Sequence, residues 1–162
     1  INTVYFELTN PEVKKLMDPR VTKLITVADC ESFAINARDR GAPELAEQAR
    51  KRAVQIRAEL YGTDSEVERE CVQAVYAYEE ILSAKNGRRQ PANRTWQMIK
   101  RHGIIPAVER VVTKREIAIG FTALAEMDLM EYAFEAVVLR HPSSFTAEAV
   151  SMSKKRIEEF NG

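Results

Sequence analysis

The sequence predicts an all-α protein, a multi-helix bundle in two helical lobes, on three observations. Apolar residues recur at intervals of three and four over most of the chain. Gly, Pro and capping residues punctuate the segments so formed, and alternation at period two goes no further than the opening Val4-Tyr5-Phe6. At 162 residues, 45% hydrophobic and 30% charged, the chain is long enough to bury a core without metals or disulfides and too apolar for a disordered tail.

Thr9-Asn10-Pro11-Glu12 reads as a helix start, with a capping side chain, an early Pro and an acid near the positive dipole end; this short helix closes near Asp18-Pro19. From Val21, the positions Leu24, Ala28 and Ile35 predict a second helix, stopped by Gly41-Ala42-Pro43. A third spans 43–60 with the stripe Leu45, Ala49, Ala53, Ile56 and Leu60. Tyr61-Gly62-Thr63-Asp64-Ser65 then stops one helix and caps the next, whose inward face is Val67, Cys71, Ala74, Tyr78 and Ile81. Asn86 to Asn93 is the strongest punctuation in the chain and predicts a linker, giving an N-terminal lobe over 1–85, a linker over 86–93 and a C-terminal lobe over 94–162. Beyond it the pattern predicts helices over 95–101, from about Ile105, and over 116–126, 129–140 and 147–160. His141-Pro142-Ser143-Ser144 closes the penultimate helix and Thr146 caps the last, with Val150, Ile157 and Phe160 inward.

Charge points to function. Lysines and arginines total 24, as do acids, so the chain is formally neutral. Yet Ile81 to Arg115 holds nine cations, Lys85, Arg88, Arg89, Arg94, Lys100, Arg101, Arg110, Lys114 and Arg115, against the single acid Glu109, a net +8 that leaves −8 elsewhere. A segregated basic stretch is the electrostatic footprint of a phosphate binder, because cations that displace condensed counterions gain free energy whatever the base sequence. Within it, 95–115 reads as helix, Gly103 turn, helix, a partial match to a helix-turn-helix whose second helix would present Glu109, Arg110, Thr113, Lys114 and Arg115. Met98, Ile104 and Val112 fall where such a unit needs apolar contacts, but His102 and Glu109 occupy positions where apolar residues are expected. Trp96, between Arg94 and Lys100, has two readings: a stacking platform for an unpaired base, or the anchor of a short helix in the core. A smaller basic run, Arg38, Arg40, Arg50, Lys51, Arg52 and Arg57, is interleaved with Glu44, Glu47 and Glu59 and reads as a solvated face.

Nucleic acid, DNA rather than RNA, is therefore the expected partner, with a helical protein-interaction module docking an acidic partner as the alternative; a homo-oligomer fits either. No catalytic constellation, cofactor or metal is expected. His102 and His141 have no carboxylate three positions before them, Glu66, Glu70, Glu79 and Glu80 read as surface acids, and Glu12-Val13-Lys14 lacks the Asp of a nuclease cluster. Cys30 between two acids and Cys71 after Glu70 read as buried, reduced thiols. No membrane segment or signal layout is read, so a cytoplasmic location is expected, and a first residue other than Met suits a piece of a longer protein.

Overall fold

The computed structural model describes residues 3–10, 16–115, 119–127 and 129–161, and the described residues form ten α-helices and two short 3₁₀ turns, with no strand. The all-α expectation holds. The chain divides into two compact units, residues 14–63 and residues 1–13 with 64–162.

The smaller unit is a helical hairpin. A single turn, α2 (Pro19–Thr22), is capped by Asp18, whose Oδ1 accepts the Arg20 N–H; Asp18-Pro19 thus opens a helix rather than closing one. Helix α3 (Val27–Asp39) starts at the Thr26 cap, six residues later than the periodicity from Val21 suggests, and α4 (Pro43–Tyr61) returns antiparallel to it. Cys30, Ala34 and Ala37 of α3 meet Ala46, Ala49, Ala53 and Ile56 of α4. Small residues let two helices approach closely, which is why the alanines are inside while the larger Ile35 and Leu60 are exposed, against expectation. Arg52 ties the start of α3 to α4 by donating Nε–H to the Leu24 carbonyl at 3.0 Å, and Arg57 pairs with Glu31 at 3.2 Å.

The larger unit is organised around α5 (Glu66–Asn86). Ser65 caps it through the Glu68 N–H at 3.2 Å, and Cys71, Val72, Ala74, Val75, Ala77, Glu79 and Ile81 are all buried, covering most of its circumference rather than one stripe. Around it lie α1 (Thr3–Thr9), α6 (Asn93–His102), α7 (Ile104–Val112), α8 (Ile119–Glu126), α9 (Phe134–Arg140) and α10 (Ala147–Asn161). Val4-Tyr5-Phe6 belongs to a helix that packs on α9 and α10, and Thr9 is its last residue, donating Oγ1–H to the Tyr5 carbonyl at 2.8 Å; the helix expected to start through Pro11 and Glu12, with Glu12-Val13-Lys14, lies outside the described residues. The segment 129–140 is not one helix: a 3₁₀ turn at Met130–Tyr132 and an extended Ala133 precede α9.

The division expected at 86–93 is not the one these contacts draw. Helix α5 packs against α7, α8 and α9, so 64–85 belongs with 94–161, and the segment between α5 and α6 is strapped to α5 itself. Gly87, in the left-handed region at φ 68°, ends α5; the Gln90 N–H then donates to Ser83 Oγ at 2.9 Å and the Ala92 N–H to Glu79 Oε2 at 3.1 Å.

Candidate nucleic-acid interface

Helix α6 is sharply amphipathic. Its inward residues, Ile99 with Trp96 and Met98, pack with Val75, Ala92 and Ala107. Its outward residues Asn93, Arg94, Gln97, Lys100 and Arg101 fall on one face, spaced by one and three positions. Arg94 and Arg101 are two turns apart, about 10 Å along the axis at 1.5 Å per residue. Lys100, Arg101 and His102 also lie in the last turn, where cations complement the negative dipole end.

Gly103 turns the chain at φ 91° and ψ 166°, a conformation costly for any residue with a Cβ, and α7 leaves in a new direction. This helix is mainly core. Ala107, Val108 and Val112 are buried, and α7 packs against α5, α6, α9 and α10. Its outward ridge is Pro106 and Arg110, continued past its end by Lys114. Of the five residues expected on a recognition helix, Thr113, Lys114 and Arg115 therefore lie beyond the last helical residue, and Glu109 is engaged elsewhere, its Oε1 accepting the Thr146 N–H at 2.7 Å at the start of α10. Of these five, Arg110 alone is both exposed and within α7.

All nine sequence-predicted cations are exposed. Lys85 approaches Glu126 at 3.9 Å; among the described residues none of the other eight forms an ion pair. Their grouping is partly visible. Partial desolvation, with the cations of Arg110 and Arg101 near enough to act on it, holds the His102 pKa below its ordinary value where α6 joins α7. Arg94 and Lys114 border one cleft. Arg88 and Arg89 follow the left-handed Gly87 at the end of α5.

Trp96 takes the second of its two readings. Its indole N–H donates to Glu79 Oε2 at 2.7 Å, and its ring lies against Tyr76 with centroids 5.1 Å apart at a 54° tilt. Both uses of the ring tie α6 to α5.

Three polar groupings escaped the sequence reading. Glu79, on the inward face of α5, collects the Ala92 and Trp96 N–H groups. Glu135 and Arg156, 1% and 4% exposed, form a buried pair at 3.1 Å; burial raises the Glu135 pKa and Arg156 opposes that rise, while Arg156 also donates to the Val111 and Lys114 carbonyls at the end of α7. Glu70 accepts from Arg140 Nε at 2.9 Å and contacts His141 Nε2, and Arg140 Nη1 reaches the Leu8 and Glu131 carbonyls. Spacing held a signal for the first two. Glu79 follows the buried Val72 and Val75 by seven and four residues, and Arg156 follows the buried Ala149 by seven. The Glu70 network joins residues 71 apart and left no local trace. Cys30 and Cys71 are buried free thiols, and burial pushes the Cys71 pKa up to about 12.

Among the described residues no three or more His, Cys, Asp or Glu side chains gather as a metal site would require, and no helix is long and apolar enough to cross a membrane. Compared with protein-family models, with curated proteins and with solved structures, the chain finds no match in any of the three.

Proposed function

We propose that this chain binds nucleic acid, duplex DNA in preference to RNA, mainly through phosphates, by the outward face of α6 and the neighbouring cations of α7 and the 85–89 segment. The observation that carries the reading is the set Arg94, Lys100 and Arg101 on one exposed helical face with no carboxylate paired to it among the described residues. Cations held apart from acids keep their charge available for phosphates. The helix-turn-helix reading of 95–115 favours duplex DNA as the form bound, with Arg110 as the residue of α7 placed to reach it. Because α7 is engaged by four other helices, backbone contacts carry most of the affinity and base readout little.

The test is fluorescence anisotropy of a labelled duplex at several salt concentrations. With about five phosphates neutralised, the slope of log K against log salt is expected near about −4.5. Absence of binding by the folded protein at the lowest salt would remove this reading and leave an acidic protein as the partner of the basic face.

A further inference from the structure

We infer a second binding site, a cleft of about 590 Å³ within the larger unit, built for a nucleotide-sized anion: one phosphate at the rim and a planar base inside. It goes beyond the duplex reading: Asn93 and Arg94 at its rim belong to both surfaces, while its inner walls take no part in the α6 face.

The volume lies within the range of small-molecule sites, where a mostly apolar lining supplies affinity and a few polar groups orient the ligand. Four aromatic residues from different elements line it: Tyr78 on α5, Phe121 on α8, Tyr132 in the 3₁₀ turn and Phe134 at the start of α9. Aromatic faces accept any base by stacking, each base contributing about 1–3 kcal/mol.

The charged groups make the ligand an anion. Arg94 and Lys114 approach the cleft from α6 and from the end of α7. Both are exposed and neither is paired to a carboxylate among the described residues. Helix α6 begins beside them, with Asn93, Arg94 and Thr95 lining the cleft, but Glu79 already holds the Ala92 N–H at its start, so the two cations and not the helix dipole supply the positive charge. The one acid in the lining, Glu135, is 1% exposed and balanced by Arg156, so it opposes an anion at the rim only weakly. A phosphate between Arg94 and Lys114 with its base against the aromatic walls uses both features at once. An inorganic anion would leave the aromatic walls empty, and a neutral aromatic would leave the two cations unused.

Two sources supply this chemistry, a free nucleotide or the 5′-terminal nucleotide of a strand. Adenosine 5′-monophosphate, adenosine, inorganic phosphate and a 5′-phosphorylated oligothymidylate are titrated calorimetrically against the folded protein. The monophosphate is expected to bind with Kd about 1 mM or tighter, and filling the cleft by Leu82→Trp to weaken it about tenfold or more. Duplex binding by Leu82→Trp stays at the parent level, which separates failure of this site from failure of the α6 surface. Lys114→Gln, a surface change that keeps the fold, weakens the monophosphate and leaves adenosine unaffected. Competition between the oligonucleotide and the free nucleotide identifies the strand end as the source; binding of the free nucleotide without competition identifies the free pool. No monophosphate binding, equal binding of inorganic phosphate, or an equal effect of Lys114→Gln on monophosphate and adenosine overturns the site.

Discussion

Trp96 donates its indole N–H to Glu79 at 2.7 Å, and the Ala92 backbone N–H meets the same carboxylate oxygen at 3.1 Å. One buried acid thereby fixes both the start of α6 and the strand of chain leading into it, and so sets the direction in which the Arg94, Lys100 and Arg101 face points. Trp96→Ala is expected to destabilise the protein by about 3 kcal/mol, and Trp96→Phe, which keeps most of the ring but not the donor, by about 2 kcal/mol. Urea unfolding measures both. A Trp96→Ala variant as stable as the parent but unable to bind single strands would move Trp96 to the ligand surface.

The α6 face makes a second expectation quantitative. Replacing Arg94, Lys100 and Arg101 together with Ala should reduce the salt slope of duplex binding by about 2.7 if all three meet phosphates, and should weaken unrelated duplexes equally. Arg110→Ala should likewise lower affinity across sequences, because its helix is held by four others. Selective loss on one preferred sequence would show instead that α7 reads bases.

His102 provides a pH test. Its folded pKa is held below 6.5 by partial desolvation and by Arg110 and Arg101, so on acidification the unfolded chain takes up the proton first. The stability linked to His102 is therefore complete above about 6.5 and falls as pH drops through the lowered value. A bound phosphate reverses the preference by stabilising imidazolium, and duplex affinity should rise a few-fold between about pH 7.5 and pH 5.5. His102→Gln should flatten that profile; an unchanged profile would place His102 away from the phosphates.

The Glu135–Arg156 pair is nearly inaccessible to solvent, so breaking it leaves an uncompensated buried charge. Arg156→Met alone is expected to cost about 3–5 kcal/mol, and Arg156→Met combined with Glu135→Leu much less, because a well-packed apolar pair can replace a buried ion pair. Chemical denaturation of the two variants decides it, and equal losses would mean that the other bonds of Arg156, to the Val111 and Lys114 carbonyls, are what matter.

Limited trypsin digestion tests the strap. Arg88 and Arg89 are exposed beside Gly87, and a first cut is expected there. Since α5 packs with α7, α8 and α9, the two fragments should co-migrate in size-exclusion chromatography under native conditions. Free separation of two folded pieces would restore the lobe boundary at 86–93.

The sequence by itself determined what depends on neighbours along the chain. Ser65, Thr146 and the glycines at 62, 87 and 103 mark helix ends because capping and left-handed turns are satisfied within a few residues, and α4 and α10 lie within a residue or so of where periodicity puts them. The net +8 of 81–115 was legible too, since charge is counted rather than folded. Only the tertiary structure decided which apolar faces are inside. Ile35 and Leu60 yield to alanines where two helices approach closely, and α5 is buried nearly all round because several helices surround it. It also decided that 86–93 is a strap and that Trp96 is an anchor. Both follow from a single carboxylate, Glu79, whose partners lie 13 and 17 residues away, and its burial makes those hydrogen bonds obligatory in a way no local pattern records.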